Sequence, residues 1–291
     1  MRKYQIGLDI GGTKVAMVIS DLEGNELIST TIVSEKSSAL LFYDKLVTMI
    51  RESLKQAQVM PSEIVGIGIG MPGIVDYKRG CAIMQNNLPL ENFPIIDMLQ
   101  GDFPNAQIVM DNDVNVAALH EYKLRNYYEE TMIYVTVSTG ISSAIIHRGE
   151  VFRGRGAAGE IGFFNNEQSL LTLEEDVSGP AIEKRLQNSL NTTKKLTSLL
   201  TLNNPAIELE IHYMIKRLNK VLVEMAVLLD PHCIVIGGGV INGQPKLQQE
   251  LFAEFNENLK KVSLFQNRPV RIEQAIDKDR SGVKGALSLL H

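Results

Sequence analysis

The sequence predicts an α/β protein built of two similar halves, and three observations carry that reading. A strand, a turn of small residues and a second strand occur twice, around Gly11-Gly12-Thr13 and again around Ser138-Thr139-Gly140. After each hairpin, short apolar runs that suit buried strands alternate with longer stretches of helical spacing. The chain has 291 residues, 44% hydrophobic and 22% charged, which fits about two domains of ~150 residues, each able to bury its own core.

Taken in order, residues 4–10 and 14–20 read as strands joined by the glycine turn, and the turn at 21–25 leads into a third strand, 26–33. Residues 37–60 have helical spacing (Leu40, Leu46, Met49, Ile50, Leu54) and stop at Pro61. Buried strands are expected at 64–70 and 107–110, and a helix at 114–127 follows Asp111-Asn112-Asp113. The second hairpin pairs 131–137 with 142–147. A long amphipathic helix covers 205–229, then come a strand at 233–236, the run Gly237-Gly238-Gly239, and a helix at 246–262. A strand at 270–274 and a short helix at 282–290 close the chain. Hinges are expected near 111–114 and near Asp277.

Charge and cysteine content exclude several functions. The 29 basic and 34 acidic side chains give −5 with no basic stripe, so no grip on nucleic-acid phosphates is expected. Cys81 and Cys233 make neither a disulfide framework nor a zinc site and suit a reducing cytosol. No apolar stretch reaches the ~18 residues of a membrane span, and the N-terminus has no signal-peptide apolar region. A cytoplasmic protein without a membrane partner is expected. The five histidines show no ligand spacing.

Two G-x-G-x-x-G matches, Gly68 to Gly73 and Gly154 to Gly159, lack a following helix or a preceding strand, and read as chance hits on glycine-rich turns. No G-x-x-x-x-G-K-[ST] occurs. Asp9-Ile10-Gly11-Gly12-Thr13-Lys14 is sharper. A carboxylate ends a strand, two residues without Cβ admit a bulky anion, and a hydroxyl and an ammonium follow. Gly-Gly alone suits a plain hairpin, but an Asp at the strand end favours contact with phosphate and Mg²⁺. Thr139 and Gly140 in the second hairpin turn would complete a paired phosphate clamp. Gly237, Gly238 and Gly239 offer bare backbone to a flat nucleotide surface, or simply a strand-to-helix turn. Asp113 by default is a helix N-cap. Glu160 and Glu174 each stand among apolar or glycine neighbours and need a partner, which sugar hydroxyls would supply.

In the order Asp9-Ile-Gly-Gly-Thr13, Met71-Pro-Gly73, Asn112-Asp113, Ser138-Thr-Gly140, Ala158-Gly-Glu160-Ile-Gly162, Leu173-Glu174, Ser178-Gly179, Asp230-Pro231 and Ile236-Gly-Gly-Gly239, the chain resembles the ROK family. That family groups sugar kinases with sugar-responsive repressors on a two-domain actin-like (ribonuclease-H-like) ATPase fold. The resemblance implies a small N-terminal domain, 1–111 completed by 277–291, and a large domain, 112–276, with ATP and sugar in the interdomain cleft. It implies ATP phosphates at Asp9, Gly11, Gly12, Thr13, Lys14, Thr139 and Gly140, with Asp9 serving Mg²⁺, and the base at Gly237, Gly238 and Gly239. Asp113 would be the general base for the sugar 6-hydroxyl, and Gly73, Asn112, Glu160 and Glu174 would bind the sugar. A homodimer is implied as well.

Three departures from the family pattern shape the expectation. Position 163 is Phe163 where the family often has His. Residues 165–173 contain neither Cys nor His where members commonly carry a zinc loop, so no zinc is expected. The second turn reads Ser138-Thr-Gly-Ile-Ser-Ser143, with serines where glycines are usual. An apolar residue at 163 suits a glycoside, whose anomeric oxygen carries a second ring, so a β-glucoside such as cellobiose is the expected substrate. Free glucose and N-acetylmannosamine are the alternatives. The reading from another class is a sugar-sensing transcriptional regulator without its DNA-binding domain. With the motif at residue 9, no reading helix is expected ahead of it.

Overall fold

The computed structural model of the protein describes residues 3–85, 87–165, 170–277 and 280–290. The chain forms two compact units: Met1–Lys123 with Gly154–Ala157 and Asp279–His291, and Leu124–Arg153 with Ala158–Lys278. In chain order the first holds β1 (Tyr4–Ile10), β2 (Lys14–Asp21), β3 (Glu26–Val33), α1 (Ala39–Gln56), β4 (Ile64–Met71), β5 (Ile74–Asp76), β6 (Cys81–Met84), α2 (Ile95–Asp102), β7 (Gln107–Asn112) and α3 (Asp113–Leu124). The second holds β8 (Thr131–Val137), β9 (Ile141–His147), β10 (Glu150–Val151), α4 (Leu173–Val177), α5 (Gly179–Leu190), α6 (Leu196–Leu199), α7 (Pro205–Leu229), β11 (Cys233–Gly237), α8 (Gly239–Asn242), α9 (Pro245–Lys260) and β12 (Arg271–Gln274). The last helix, α10 (Ser281–Ser288), belongs to the first unit. Among the described residues no helix is long and apolar enough to cross a membrane.

The two main sheets repeat one topology. Their orders are β3-β2-β1-β4-β7 and β10-β9-β8-β11-β12. In each, two antiparallel pairings are followed by two parallel ones. β1 and β4 are central and buried on both faces, which explains their near-continuous apolar runs. Glycine lets α10 lie directly on them. A Cβ on Gly7 would strike the Val283 carbonyl, and one on Gly68 the Ala286 carbonyl. The first G-x-G-x-x-G match thus begins with a helix seat, with no role in holding a pyrophosphate.

Local signals set the helix ends. Ser38 Oγ accepts from Leu41 N and starts α1. α1 ends at Gln56, short of the expected 60, because Gln58 turns left-handed at φ 56°. α3 ends at Leu124, short of the expected 127, because Asn126 does the same at φ 53°. Asn204 caps α7 by accepting from Ala206 N, with Pro205 at its first position. α3 also falls with the first unit up to Lys123, where the sequence reading drew a boundary at 111/112. The cause is packing. Val116 rests against Gly70, and its carbonyl lies where a Cβ on Gly285 would be.

Candidate functional site

The predicted residues fall into two sets, one in each unit. In the first unit, the turn between β1 and β2 is closed by Gly11 N donating to the Lys14 carbonyl at 2.9 Å. Ser34 Oγ donates to the Gly11 carbonyl at 2.6 Å and Ser34 N to that of Thr13 at 3.0 Å. A Cβ on Gly12 would stand 2.7 Å from Asn87 Cβ, so the second glycine is required by close approach. Thr13 and Lys14 are exposed beside it. Asp9, next to last in β1, has its carboxylate against Gly282 in the first turn of α10, where a Cβ would collide with it. No hydrogen bond reaches that carboxylate from the described residues. Burial pushes its pKa above the usual carboxylate range, partly opposed by the Lys14 charge.

Asn112 and Asp113 join β7 to α3. Asn112 Oδ1 and Asp113 Oδ1 each accept from Val114 N at 2.9 Å, so the Asn shares the capping duty expected of Asp113. Asn112 Nδ2 donates to the Gly73 carbonyl at 2.9 Å, which fixes the amide's orientation. Gly73 sits at φ 73°, and a Cβ there would strike the Met84 carbonyl. Behind them Asp111, which the sequence reading did not single out for chemistry, is buried. Its Oδ1 accepts from Asn112 N and from Asn115 Nδ2, both at 2.8 Å. Gly73, Asn112 and Asp113 are therefore brought together on a braced corner.

In the second unit, the turn between β8 and β9 is closed by Ser138 N donating to the Gly140 carbonyl at 2.9 Å, and Gly179 N, opening α5, donates to the Ser138 carbonyl. Glu174, on α4, reaches back to this turn. Its Oε2 accepts from Ile141 N at 2.8 Å, and a Cβ on Gly140 would stand 2.5 Å from it. The predicted phosphate turn and the predicted sugar carboxylate therefore touch. Thr139 is exposed at the tip. Glu160 is half-buried, and its Oε2 accepts from Ser142 Oγ at 3.2 Å. Burial raises the Glu160 pKa and the Glu174 charge adds to that, while the Ser142 bond lowers it. Gly237 and Gly238 are forced by neighbours, since added Cβ atoms would strike the Tyr134 hydroxyl and the Val137 backbone, whereas Gly239 faces open space.

These residues fit ATP with magnesium. A desolvated carboxylate without a donor beside a glycine turn is suited to a metal held by one or two carboxylates plus phosphates. Among the described residues no group of three or more His, Cys, Asp and Glu could hold a metal ion by itself. The expected zinc-free stretch 165–173 lies partly outside the described residues, at 166–169. A cavity of about 510 Å³ lined by residues of α7 and α9, among them Ile207, Ile211 and Leu247, contains none of the predicted residues.

The profile of the ROK family matches residues 5–291. The N-acetyl-D-glucosamine kinase of Haemophilus influenzae is 25% identical across 97% of this chain and 98% of its own length. The xylose repressor of Caldicellulosiruptor bescii is 25% identical across 98% of this chain and 77% of its own. The crystal structure of a ROK hexokinase from Thermus thermophilus matches at a TM-score of 0.78 and 26% identity, covering 97% of this chain and 96% of that one. With hairpins, glycine turns and acidic residues in the family's order over nearly its whole length, the chain belongs to the ROK family and has its two-domain α/β, actin-like ATPase fold.

Proposed function

We propose that the protein is an ATP-dependent sugar kinase that phosphorylates the 6-hydroxyl of a glucose-type unit. The observation that carries this reading is the pair of equivalent hairpin turns, one beside the desolvated Asp9 and one beside Glu174, in a ROK-family chain that keeps Asp113 at the head of α3. Phosphoryl transfer asks little covalent chemistry of a protein; it needs in-line positioning and electrostatic stabilisation. Magnesium, when bound with ATP, neutralises charge on the phosphates. The Gly11-Gly12 turn, Thr13 and Lys14 hold the phosphates, as do Thr139 and Gly140. Asp113 accepts the proton of the sugar 6-hydroxyl as its oxygen attacks the γ-phosphorus and ADP leaves. Gly73, Asn112, Glu160 and Glu174 hold the remaining hydroxyls, and Gly237, Gly238 and Gly239 take the base.

The preferred substrate is a β-glucoside such as cellobiose. Phe163, three residues after Glu160, is 73% exposed, and Phe164 and Leu170 nearby in the chain are exposed as well. Phe163 thus fills no core space, which favours an aromatic face for a second sugar ring over a plug for a missing zinc loop. Coupled ADP release across cellobiose, glucose, N-acetylmannosamine and N-acetylglucosamine, with and without Mg²⁺, tests both levels. Cellobiose should give the highest kcat/KM, and a value well below those of the free sugars would restrict the protein to monosaccharides. The similarity to a xylose repressor over 98% of this chain favours sugar-sensing as the second reading. Sugar binding without any turnover would select it.

A further inference from the structure

We propose that Ser142 and Ser143 are positioning residues for sugar recognition, Ser142 orienting the Glu160 carboxylate and Ser143 fixing the Gly159 carbonyl just before it. This rests on the reading that Glu160 binds the sugar. The two serines stand where the family's hairpin turn is usually glycine, and both hydroxyls are already engaged within the second unit. Neither hydroxyl turns toward the phosphate turn. Ser142 Oγ donates to Glu160 Oε2 at 3.2 Å, and Ser143 Oγ donates to the Gly159 carbonyl at 2.7 Å.

The Gly159 carbonyl is held unusually firmly. It also accepts from Ser143 N at 2.8 Å and from Ile161 N at 2.7 Å. Gly159 is at φ 91°, and a Cβ on it would strike the Ser143 carbonyl, so the loop approaches β9 as closely as two backbones can. Ser143 is buried. One residue earlier, Ile141 N donates to Glu174 Oε2. Three consecutive residues at the start of β9 therefore hold both carboxylates assigned to the sugar: Ile141 grips Glu174, Ser142 grips Glu160, and Ser143 locks the backbone that carries Glu160. A carboxylate on a flexible stem loses rotamer freedom when it binds a hydroxyl, and prior orientation by a hydroxyl removes part of that cost.

The electrostatics point the same way. The groups facing the Glu160 carboxylate are the Ser142 hydroxyl on β9 and the Glu174 carboxylate on α4. Burial and Glu174 both favour the protonated form, in which one oxygen carries a proton and fewer acceptor sites are left for sugar hydroxyls; Ser142 favours the ionised form. Without Ser142 the carboxyl ionises at higher pH.

The test compares wild type, Ser142→Ala and Ser142→Thr. The sugar KM of Ser142→Ala should rise about tenfold, the magnitude of one hydrogen bond to a charged group, while kcat and the KM for ATP stay within about twofold. The acidic limb of kcat/KM should move to higher pH, and Ser142→Thr should restore both parameters. A structural role alone would move the KM for ATP and the sugar together and leave the limb in place, which overturns the proposal. Titration of the Glu160 side chain by carboxylate ¹³C NMR needs no turnover. Its midpoint should rise in Ser142→Ala, and an unchanged midpoint overturns the proposal even if wild type phosphorylates no sugar, the outcome that would defeat the kinase reading.

Discussion

Two turns hold the same place in the two units, between the antiparallel strands that neighbour each sheet's parallel half, yet they handle charge in opposite ways. At Gly11-Gly12 the carboxylate comes from the strand itself. Asp9 lies two residues before the turn, pressed against α10, and no donor among the described residues reaches it. At Ser138–Gly140 the carboxylate comes from far along the chain. Glu174 folds back from α4 and takes the Ile141 N–H at the start of β9. One hairpin design thus makes a corner whose carboxylate lacks a hydrogen-bond donor among the described residues in the first unit and a corner that orients acids in the second. Sequence similarity between the turns suggested two phosphate clamps; the geometry sets the Glu174 carboxylate against the second of them.

The largest effect expected belongs to the first unit, at Asp113, the proposed general base. Asp113→Asn should lose ~10²–10⁴-fold in kcat, the usual contribution of a general base, with sugar affinity by calorimetry little changed. Retention of more than half of kcat would leave Asp113 as a helix-end residue only, sharing Val114 N with Asn112. In the second unit the loss should appear in binding. Glu174→Gln should raise the sugar KM by about 10- to 100-fold, the range for a hydrogen bond involving a charge, and lower kcat less than Asp113→Asn does.

The two glycine corners can be set against each other directly. A methyl at Gly12 meets Asn87 Cβ, anchored to backbone, so Gly12→Ala should destabilise by ~1–3 kcal/mol through overpacking. A methyl at Gly140 meets only the end of the Glu174 side chain, which can swing aside. Gly140→Ala should therefore keep nearly wild-type thermal stability and instead raise the sugar KM, as Glu174→Gln does. Equal destabilisation of both variants in chemical denaturation would show that Glu174 is as rigidly held as Asn87.

The hairpins and long helices were legible because their signals are local. Seven-residue apolar strands, a Gly-Gly turn, and Asn204-Pro205 ahead of a 25-residue amphipathic run all declare themselves within one element. α5 was not legible. It opens on Gly179-Pro180, and its buried face is only Gly179, Ile182 and Leu186, too sparse for a periodic pattern. β5 and β6 have three and four residues with mixed exposure, below what alternation can mark. For the candidate site, residue types and order could be read from the chain, but their contacts could not. Ser142 meets Glu160 across 18 positions, Ile141 meets Glu174 across 33, and Asn112 meets Gly73 across 39. Nothing in a linear pattern distinguishes a serine that lines a phosphate turn from one that reaches behind it.

The smallest expected effect tests the contrast at its root, because Asp9 should weaken the fold that carries it. Its pKa is raised by burial, so between the ordinary carboxylate value and the raised one the native state holds more protons than the unfolded state. Stability contributed at this position is then present at low pH and is lost as pH rises through the native-state value. In its ionised form Asp9 is desolvated and without a donor among the described residues, so Asp9→Asn should melt a few degrees above wild type at pH 7. The gain should shrink as the pH is lowered and the wild-type carboxyl takes up its proton. Glu174, which has the Ile141 N–H, should give no such gain as Gln. Adding Mg²⁺ and ATP should reverse the order at neutral pH, stabilising wild type more than Asp9→Asn. Thermal melts of the three proteins at pH 7 and pH 4, with and without the nucleotide, check every step. An Asp9→Asn variant less stable than wild type at pH 7 without nucleotide would mean that the carboxylate is already satisfied, and that the two corners do not differ as argued.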